Sequence, residues 1–326
     1  MKNILALIAI GFVAGCCCNK ACDKTCIAGN YGLEFEFDNY KAGHMILGYG
    51  EKGEPTAFTL VRWSSPEWCK DVKFDGRKFS FFQPVARWSF EGEICGDKVK
   101  GTMRREYKDK AGNLIKEKKP FVGWKNPPIE KGVKISEAKF GKSIDLLADG
   151  LKGWESKEKG PEYVSGWSFK DGILSNRITR NAEKRPKQAN LLTKRNDFYD
   201  FKLSYDVRVP AKCNSGVFLR GRYEIQVIDS FGKAVDRHNM AAFYGRITPS
   251  VAAEKPAGEW QHVDVTLYRR HVTIVLNGKT IIDNQPVEGV TGGAIDAREF
   301  IPGPMYLQGD HSDADFKNMI LTPIVK

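Results

Sequence analysis

The feature that most constrains this fold is a series of short segments in which apolar and polar side chains alternate, separated by tight turns. The clearest example is the stretch Val272–Ile282, which carries Asn277-Gly278 at its centre. Asn-Gly tolerates the positive φ angles of a type I′ turn, so this stretch predicts a β-hairpin. No long amphipathic helical pattern occurs after residue 138. The C-terminal part is therefore predicted to be an all-β domain, a two-sheet sandwich of the jelly-roll kind.

Residues 30–125 alternate in the same way, as in Leu33–Phe37, and are predicted to form a small antiparallel β module. Its tryptophans are expected to fill the core of the module, although a sugar-binding platform is the alternative. These residues are Trp63, Trp68, Trp88 and Trp124. Prolines such as Pro127 and Pro128 then disfavour regular structure, which predicts a linker at 126–137 and a sandwich at 138–326.

The N-terminus has the pattern of an export signal. A lysine at position 2 precedes the short apolar run Ile4–Val13, which predicts a signal peptide at 1–15. Val13-Ala14-Gly15-Cys16 resembles a bacterial lipobox, in which Cys16 is lipidated; an ordinary signal peptide is the alternative. We expect an exported envelope lipoprotein, facing the periplasm or held at the outer membrane, whose lipid anchor makes the membrane a partner.

The eight cysteines fall into two groups. Five crowd residues 16–26, which predicts a Cys-rich tether at 16–29 rather than a zinc site, because no histidine lies among them. In an oxidising compartment Cys69 and Cys95 are expected either to form a disulfide or to remain two buried thiols. Cys213 has no obvious partner.

The chain carries a formal net charge of +11, which raises the question of nucleic-acid binding. Its Lys and Arg residues are interspersed with Asp and Glu, as in Glu155–Lys159, and this pattern is typical of a solvated surface. We therefore predict no nucleic-acid partner. The basic balance favours an anionic membrane surface or acidic glycans instead.

Several motifs in the C-terminal part occur in an order typical of one family. They are Ile144–Trp154, Asn214–Arg220, Tyr223–Asp229, Gly258–Trp260, Leu307–His311 and Phe316–Met319. Over roughly residues 140–324 the sequence resembles the 3-keto-disaccharide hydrolase family, whose fold is a concanavalin-like jelly-roll β-sandwich. Two departures are Lys317, where an Arg is usual, and Ala242-Phe243, where Gly-Ala is common.

The resemblance implies an enzyme that hydrolyses a carbohydrate partner already oxidised at C3, either a 3-keto-glycoside or a 3-keto-disaccharide. The ketone makes the C2 proton acidic, because its removal gives a delocalised enolate, and the C1 substituent can then leave by elimination before water adds. A non-catalytic lectin-like carbohydrate-binding module and a conventional glycoside hydrolase are the alternatives. For the last of these Glu224 and Asp229 are a poor pair, since strand parity places them on opposite faces.

Strand parity also suggests a polar cluster. Glu224 and Gln226 are expected to share one face of a strand, and Asn214 and Arg220 to project beside them. An ordinary cross-strand ion pair on a solvated face is the alternative. The resemblance adds residues of the closing segment and favours a functional cluster, whose further members are Tyr244, Gln308 and His311.

The elimination needs a base near C2, a donor or cation beside the C3 oxygen and an acid at the C1 oxygen. We expect Glu224 or His311 to act as base or acid and Arg220 to stabilise the enolate. The expected substrate-binding residues are Asn214, Gln226, Tyr244 and Gln308. No cofactor is certain, but Glu224, Asp229 and His311 are candidate ligands for a divalent metal cation that polarises the ketone.

Overall fold

The computed structural model describes residues 27–37, 39–178 and 186–325. Within these ranges the regular structure consists of strands and two short 3-10 helices, Ile135–Glu137 and Gly150–Gly153, so the prediction of an all-β protein is confirmed. None of the described residues form a helix with the length and apolar character needed to cross a membrane. The predicted signal peptide, Cys16 and residues 16–26 of the predicted tether lie outside the described residues.

The N-terminal part of the described chain is an antiparallel meander. Its strands are β1 (Gly29–Phe35), β2 (Ala42–Tyr49), β3 (Pro55–Val61), β4 (Glu67–Trp68), β5 (Lys70–Asp75), β6 (Lys78–Gln83), β7 (Trp88–Cys95), β8 (Lys98–Lys108) and β9 (Leu114–Lys125). They are ordered β4-β3-β2-β1-β9-β8-β7-β6-β5.

This sheet closes into a barrel because its two outer strands are consecutive in the chain. β4 pairs with β3 and β5 pairs with β6, while Cys69 alone separates β4 from β5. The Cys69 N–H donates to the Ala57 carbonyl in β3 at 2.8 Å. Closure leaves no open sheet edge, and an interior of this size is filled by side chains. Those inside include Tyr31, Phe35, Phe81, Trp88, Phe90 and Phe121.

The prediction that all four tryptophans fill this core is wrong. Trp88 lies inside the barrel, and Trp124 is partly buried against the core of the C-terminal sandwich. Trp63 and Trp68 are 56% and 65% exposed, because Trp63 lies in the turn after β3 and Trp68 faces outward from β4. Cys69 and Cys95 are free thiols, so the disulfide does not form, but the alternative of two buried thiols is also wrong, because Cys69 is half-buried and Cys95 is exposed.

The C-terminal part holds the remaining described strands. They are β10 (Lys139–Phe140), β11 (Ile144–Asp145), β12 (Trp154–Ser156), β13 (Tyr163–Val164), β14 (Trp167–Lys170), β15 (Ile173–Asn176), β16 (Lys187–Gln188), β17 (Leu191–Thr193), β18 (Phe201–Arg208), β19 (Asn214–Leu219), β20 (Tyr223–Ile228), β21 (Gln261–Tyr268), β22 (His271–Leu276), β23 (Lys279–Pro286), β24 (Tyr306–Leu307) and β25 (Ala314–Val325).

These strands form a concanavalin-like jelly-roll sandwich, as predicted. One sheet has the order β14-β15-β25-β18-β21-β22-β23, with β10 and β11 paired to β25, and the facing sheet has the order β12-β17-β24-β19-β20. Strict alternation along β18 buries Phe201, Leu203, Tyr205 and Val207 between the two sheets. The predicted hairpin joins β22 to β23, and Asn277 and Gly278 both have positive φ angles there.

The barrel is docked against the sandwich through backbone contacts. The Gly293 N–H donates to the Arg62 carbonyl at 3.1 Å, which ties the turn after β3 to a loop of the sandwich. A Cβ on Gly292 would lie 2.5 Å from the Trp63 carbonyl oxygen, so this close approach requires glycine. The segment between the two parts is also packed, since Asn126 is buried and donates to the Glu299 carboxylate at 2.8 Å.

A buried histidine lies at this junction. His44 of β2 contacts the Asn30 side chain through Nε2 at 2.6 Å, and its ring lies against Gly289 of the sandwich. Burial, followed by the charges of Arg246 and Arg270, holds the pKa of His44 well below its usual value of 6.5. The imidazole is therefore neutral in the folded protein at pH 7.

We predict that this histidine makes stability fall in acid. Below pH 6.5 the unfolded chain protonates His44 and the folded chain does not, so the free energy of unfolding decreases by at most about 1.4 kcal/mol per pH unit from this group. His44→Gln should lose this part of the pH dependence in denaturant titrations between pH 7 and 5. His262→Gln, on an exposed position, controls for removal of a histidine. An unchanged slope in His44→Gln would contradict the prediction.

Candidate functional site

A cleft of about 420 Å³ opens where the sandwich meets the barrel. Its lining residues are Tyr40, Trp63, Asn214, Glu224, Tyr244, Gly292, Gly293, Gln308, Asp310 and His311. Five of the predicted site residues are therefore brought together, namely Asn214, Glu224, Tyr244, Gln308 and His311. A second groove of about 540 Å³ lies beside Pro128–Glu130, and none of the predicted site residues line it.

Arg220 does not line the cleft, contrary to the prediction. β19 ends at Leu219, and Arg220 has a φ of +53°, so it leaves the alternation on which the parity argument relied. Its guanidinium is buried, donates to the Tyr223 hydroxyl at 2.9 Å and lies 4.9 Å from the ring centre of Tyr199. It is therefore not placed to stabilise an enolate in the cleft.

Gln226 is also absent from the described cleft lining, although it shares a strand face with Glu224. It is buried, and its Oε1 accepts the Val227 N–H at 3.0 Å. The backbone at Ala241 and Ala242 pairs alongside it. The prediction that Gln226 binds substrate is not supported by this position.

The predicted metal triad is not assembled. Asp229 lies beyond the end of β20, where its carboxylate accepts the Lys212 N–H at 3.0 Å, and it does not line the cleft with Glu224 and His311. Among the described residues, no three His, Cys, Asp or Glu side chains converge as a metal site would require. The residues present thus do not fit the proposed ion.

Glu224 is held at the base of the cleft by the sheet. It lies on β20 opposite Phe218 of β19, and it is 4% exposed. A Cβ on the neighbouring Gly216 would lie 2.4 Å from the Glu224 Oε1 atom, so glycine makes the room for this carboxyl group. The Glu224 N–H donates to Thr291 Oγ1 at 2.8 Å, and its carbonyl accepts the Tyr244 N–H at 3.0 Å.

Asp310 is a site residue that the sequence reasoning missed. Its Oδ1 atom contacts His311 Nδ1 at 2.6 Å, and its Oδ2 accepts the Tyr40 hydroxyl at 3.1 Å. The neighbouring motif, Gly309-Asp310-His311, contained the signal, because a carboxylate next to a histidine can orient the imidazole. Tyr40 had no comparable signal, and Trp63 was named only for the alternative of a sugar-binding platform, since both residues reach the cleft through the docking of the barrel.

Buried amides fix the loop that carries this pair. The Asn190 side-chain oxygen accepts the Gly309 N–H at 2.7 Å, and Asn176 donates to the Gly309 and Ser312 carbonyls, both at 2.9 Å. The Ser312 hydroxyl donates to the Asn214 carbonyl at 2.6 Å. The loop is thereby tied to the strand that presents Asn214.

The two carboxyl groups of the cleft have pKa shifts of opposite direction. Burial, followed by the negative charge of Asp310, raises the pKa of Glu224 well above its usual value. Burial also acts to raise the pKa of Asp310, but its bonds to His311 and Tyr40 and the nearby Lys157 outweigh that effect and lower it. The protonated form of Glu224 and the ionised form of Asp310 are therefore the favoured forms in the cleft, a pattern that separates acid from base roles.

Two further polar groups are placed to bind a ligand. The side-chain carbonyl oxygens of Asn214 and Gln308 are buried and have no hydrogen-bond partner among the residues that the structure describes. A buried acceptor without a partner is costly, so these oxygens are suited to accept hydrogen bonds from ligand hydroxyls. Burial and the charge of Glu224 raise the pKa of Tyr244, which keeps its hydroxyl protonated beside them.

Comparison with known proteins identifies the class. Residues 143–322 match the profile of the 3-keto-alpha-glucoside-1,2-lyase-like domain, which is more than half of the chain. The chain therefore belongs to this family, whose description as 3-keto-alpha-glucoside-1,2-lyase-like supports a carbohydrate-related function. No curated protein matches the chain.

Solved structures resemble the sandwich at low identity. A protein of Parabacteroides distasonis, a glycosyl hydrolase by provisional assignment, is 23% identical with a TM-score of 0.44, and the match covers 61% of this chain and 100% of that one. The carbohydrate-binding module CBM66 of Bacillus subtilis is 12% identical with a TM-score of 0.30, covering 51% and 93% of the two chains. LamAcat of Zobellia galactanivorans is 10% identical with a TM-score of 0.36, covering 57% and 98%.

We predict that Glu224→Gln stabilises the protein at alkaline pH. The raised pKa means that the folded state resists ionisation of Glu224, so stability is lost as pH rises from 4.5 through the folded value. The amide removes this cost, and the melting temperature at pH 8 should rise by about 2 to 4 °C for each kcal/mol gained. The gain should shrink toward pH 4.5.

Calorimetry at both pH values tests this, with Glu155→Gln as the control because that glutamate is exposed. Equal destabilisation of Glu224→Gln at both pH values would show that the folded protein requires the ionised carboxylate.

Proposed function

We propose that the cleft cleaves 3-keto-glycosides by elimination followed by hydration. The observation that carries this proposal is the convergence, in one cleft, of the buried Glu224 carboxyl group with an Asp310–His311 pair. An elimination needs an acid and a base at once, and the opposite directions of the Glu224 and Asp310 pKa shifts suit these two roles.

His311 acts as the base at C2. Asp310 is ionised and accepts a hydrogen bond from Nδ1, so Nε2 is the ring nitrogen that takes up the proton. The C2–H electron pair enters the C2–C3 bond, and the C3 carbonyl becomes an enolate oxygen. Asp310 then stabilises the imidazolium that forms, as a carboxylate does for a catalytic histidine.

Glu224 acts as the acid at C1. When the C3 carbonyl re-forms, a C1–C2 double bond is made, the C1–O bond breaks and the leaving oxygen takes the Glu224 proton. Water then adds its hydroxyl to C1 while Glu224 takes the water proton, and His311 returns its proton to C2, which completes net hydrolysis and restores both residues. Asn214, Tyr244 and Gln308 hold the sugar hydroxyls during these steps.

A conventional glycoside hydrolase is the second candidate, and one observation favours it. Glu224 and Asp310 line the same cleft with opposite pKa shifts, which is the pattern of an acid and a nucleophile or general base in such enzymes. Glu224 and Asp310 therefore form a better candidate pair than Glu224 and Asp229, which strand alternation places on opposite faces. A lectin-like site is the third candidate function, because polar groups such as those of this cleft can also bind a sugar without cleaving it.

We predict that the purified protein releases the chromophore from a chromogenic 3-keto-glucoside and not from its unoxidised parent. Glu224→Gln and His311→Ala should each lower kcat/KM by about 100-fold or more, the usual contribution of a general acid or base. Asp229→Asn is the matched control and should keep activity, since Asp229 lies outside the cleft.

The other outcomes separate the candidates. Release from the unoxidised parent, lost in Glu224→Gln and Asp310→Asn, would establish the glycoside hydrolase. Binding of both sugars without release from either would establish the lectin-like site and overturn the elimination.

We also propose that the protein works in the cell envelope as a lipoprotein anchored through Cys16. Cells expressing the full chain should incorporate labelled palmitate into it, and Cys16→Ser should abolish the label and release the protein from the membrane fraction. Cys69→Ser controls for loss of a cysteine in the folded part. Equal labelling of the Cys16→Ser protein would exclude this anchor.

A further inference from the structure

The cleft has two walls of different chemistry. Its polar side chains come from the sandwich, whereas the barrel contributes two aromatic residues, Tyr40 and Trp63. Both lie outside residues 143–322, the part that matches the family. The barrel therefore completes a site that the family domain alone leaves open on one side.

Trp63 is held firmly although its indole is 56% exposed. The Arg62 guanidinium lies between two rings, 3.9 Å from the ring centre of Trp63 and 4.0 Å from that of Phe37. Arg62 also donates to the Asn39 side chain at 2.8 Å. The ring of Tyr40 meets Trp63 edge-on, with ring centres 5.8 Å apart. These contacts fix the plane of the indole.

The backbone of this turn is fixed as well. Arg62 has a φ of +59°, and its carbonyl accepts the Gly293 N–H, so the turn is bound to the sandwich next to the indole it presents. The Trp63 carbonyl packs on Gly292 at a distance that excludes a larger residue. The exposed ring is thus a preformed surface of the cleft, not a mobile loop tip.

The chemistry of this wall indicates what it binds. The Tyr40 hydroxyl already donates to Asp310, so the wall presents mainly flat ring surface, with the Trp63 indole N–H as its remaining donor. A hydroxyl-rich sugar is matched by the opposite wall, where Asn214 and Gln308 offer unpaired acceptors. A flat apolar group is matched by an exposed indole, because stacking removes from water the two surfaces that face each other.

We propose that Trp63 and Tyr40 form the subsite for the leaving group and that this subsite selects an aromatic aglycone. This proposal rests on the proposed function, which places the C1–O bond that breaks beside Glu224. The sugar to be cleaved lies against the polar wall, and the aryl group on its C1 oxygen stacks on Trp63. Tyr40 joins the two walls, since it contacts both Trp63 and Asp310.

The test compares phenyl and methyl 3-keto-glucosides of the same anomeric form, together with a 3-keto-disaccharide. Trp63→Ala should lower kcat/KM about 5- to 100-fold for the phenyl substrate, the range expected for one aromatic stacking contact. The methyl substrate should change less than about twofold, and Trp63→Phe should restore most of the activity on the phenyl substrate. Trp68→Ala is the matched control, because Trp68 is an exposed barrel tryptophan outside the cleft.

Two kinetic results would overturn this proposal. An equal loss on phenyl and methyl substrates would make Trp63 a structural residue. A loss on the disaccharide as large as that on the phenyl substrate would remove the aromatic preference.

Binding separates this inference from the proposed function. Calorimetric titration with unoxidised phenyl and methyl glucosides should show that wild-type protein binds the phenyl compound more tightly and that Trp63→Ala loses the difference. If no 3-keto substrate is cleaved but this difference holds, the elimination fails and the aromatic subsite stands. If 3-keto substrates are cleaved and the difference is absent, the subsite proposal fails alone.

Discussion

The buried carboxylate of Glu299 is the interaction on which the arrangement of the two parts depends. It is fully buried and accepts hydrogen bonds from Asn126, the Tyr223 hydroxyl and the Gly289 N–H at 2.8, 3.1 and 3.0 Å, with Arg270 at 3.5 Å. A buried charge persists only when it is paired and hydrogen-bonded, so these groups must meet in one arrangement. The segment leaving the barrel, strand β20 and the loop that reaches Gly292 and Gly293 are thereby fixed together.

The cleft follows from that arrangement. β20 presents Glu224, the 289–293 loop receives the turn that carries Trp63, and Asp310 reaches the Tyr40 hydroxyl across the junction. Burial also raises the pKa of Glu224. The nearby Asp310 carboxylate raises it further, because a second negative charge disfavours ionisation of Glu224. Burial thus destabilises the ionised form of Glu224, which suits the proposed role of this residue as a proton donor.

The sequence predicted those features that depend on local chemistry. Alternation along β18 and the Asn277-Gly278 turn have direct backbone consequences, and the motifs around Glu224 and His311 placed both residues in the cleft. Parity failed at Arg220, because one left-handed residue ends the strand alternation and no pattern signals it. The sequence offered Trp63 only as one of four tryptophans of an alternative sugar-binding platform, because its place in the cleft depends on how two separately patterned parts dock.

Both walls of the cleft are fixed by backbone contacts among the described residues. The turn after β3 is bound through Arg62 and Gly293, and the opposite loop is bound through Asn190 and Gly309. On the proposal that Trp63 lines the leaving-group subsite, a change of its ring alters which leaving group fits, while Glu224 and the Asp310–His311 pair keep their positions. A barrel outside the family domain would in this way set the aglycone preference of the proposed site, while the proposed acid and base both stay on the sandwich.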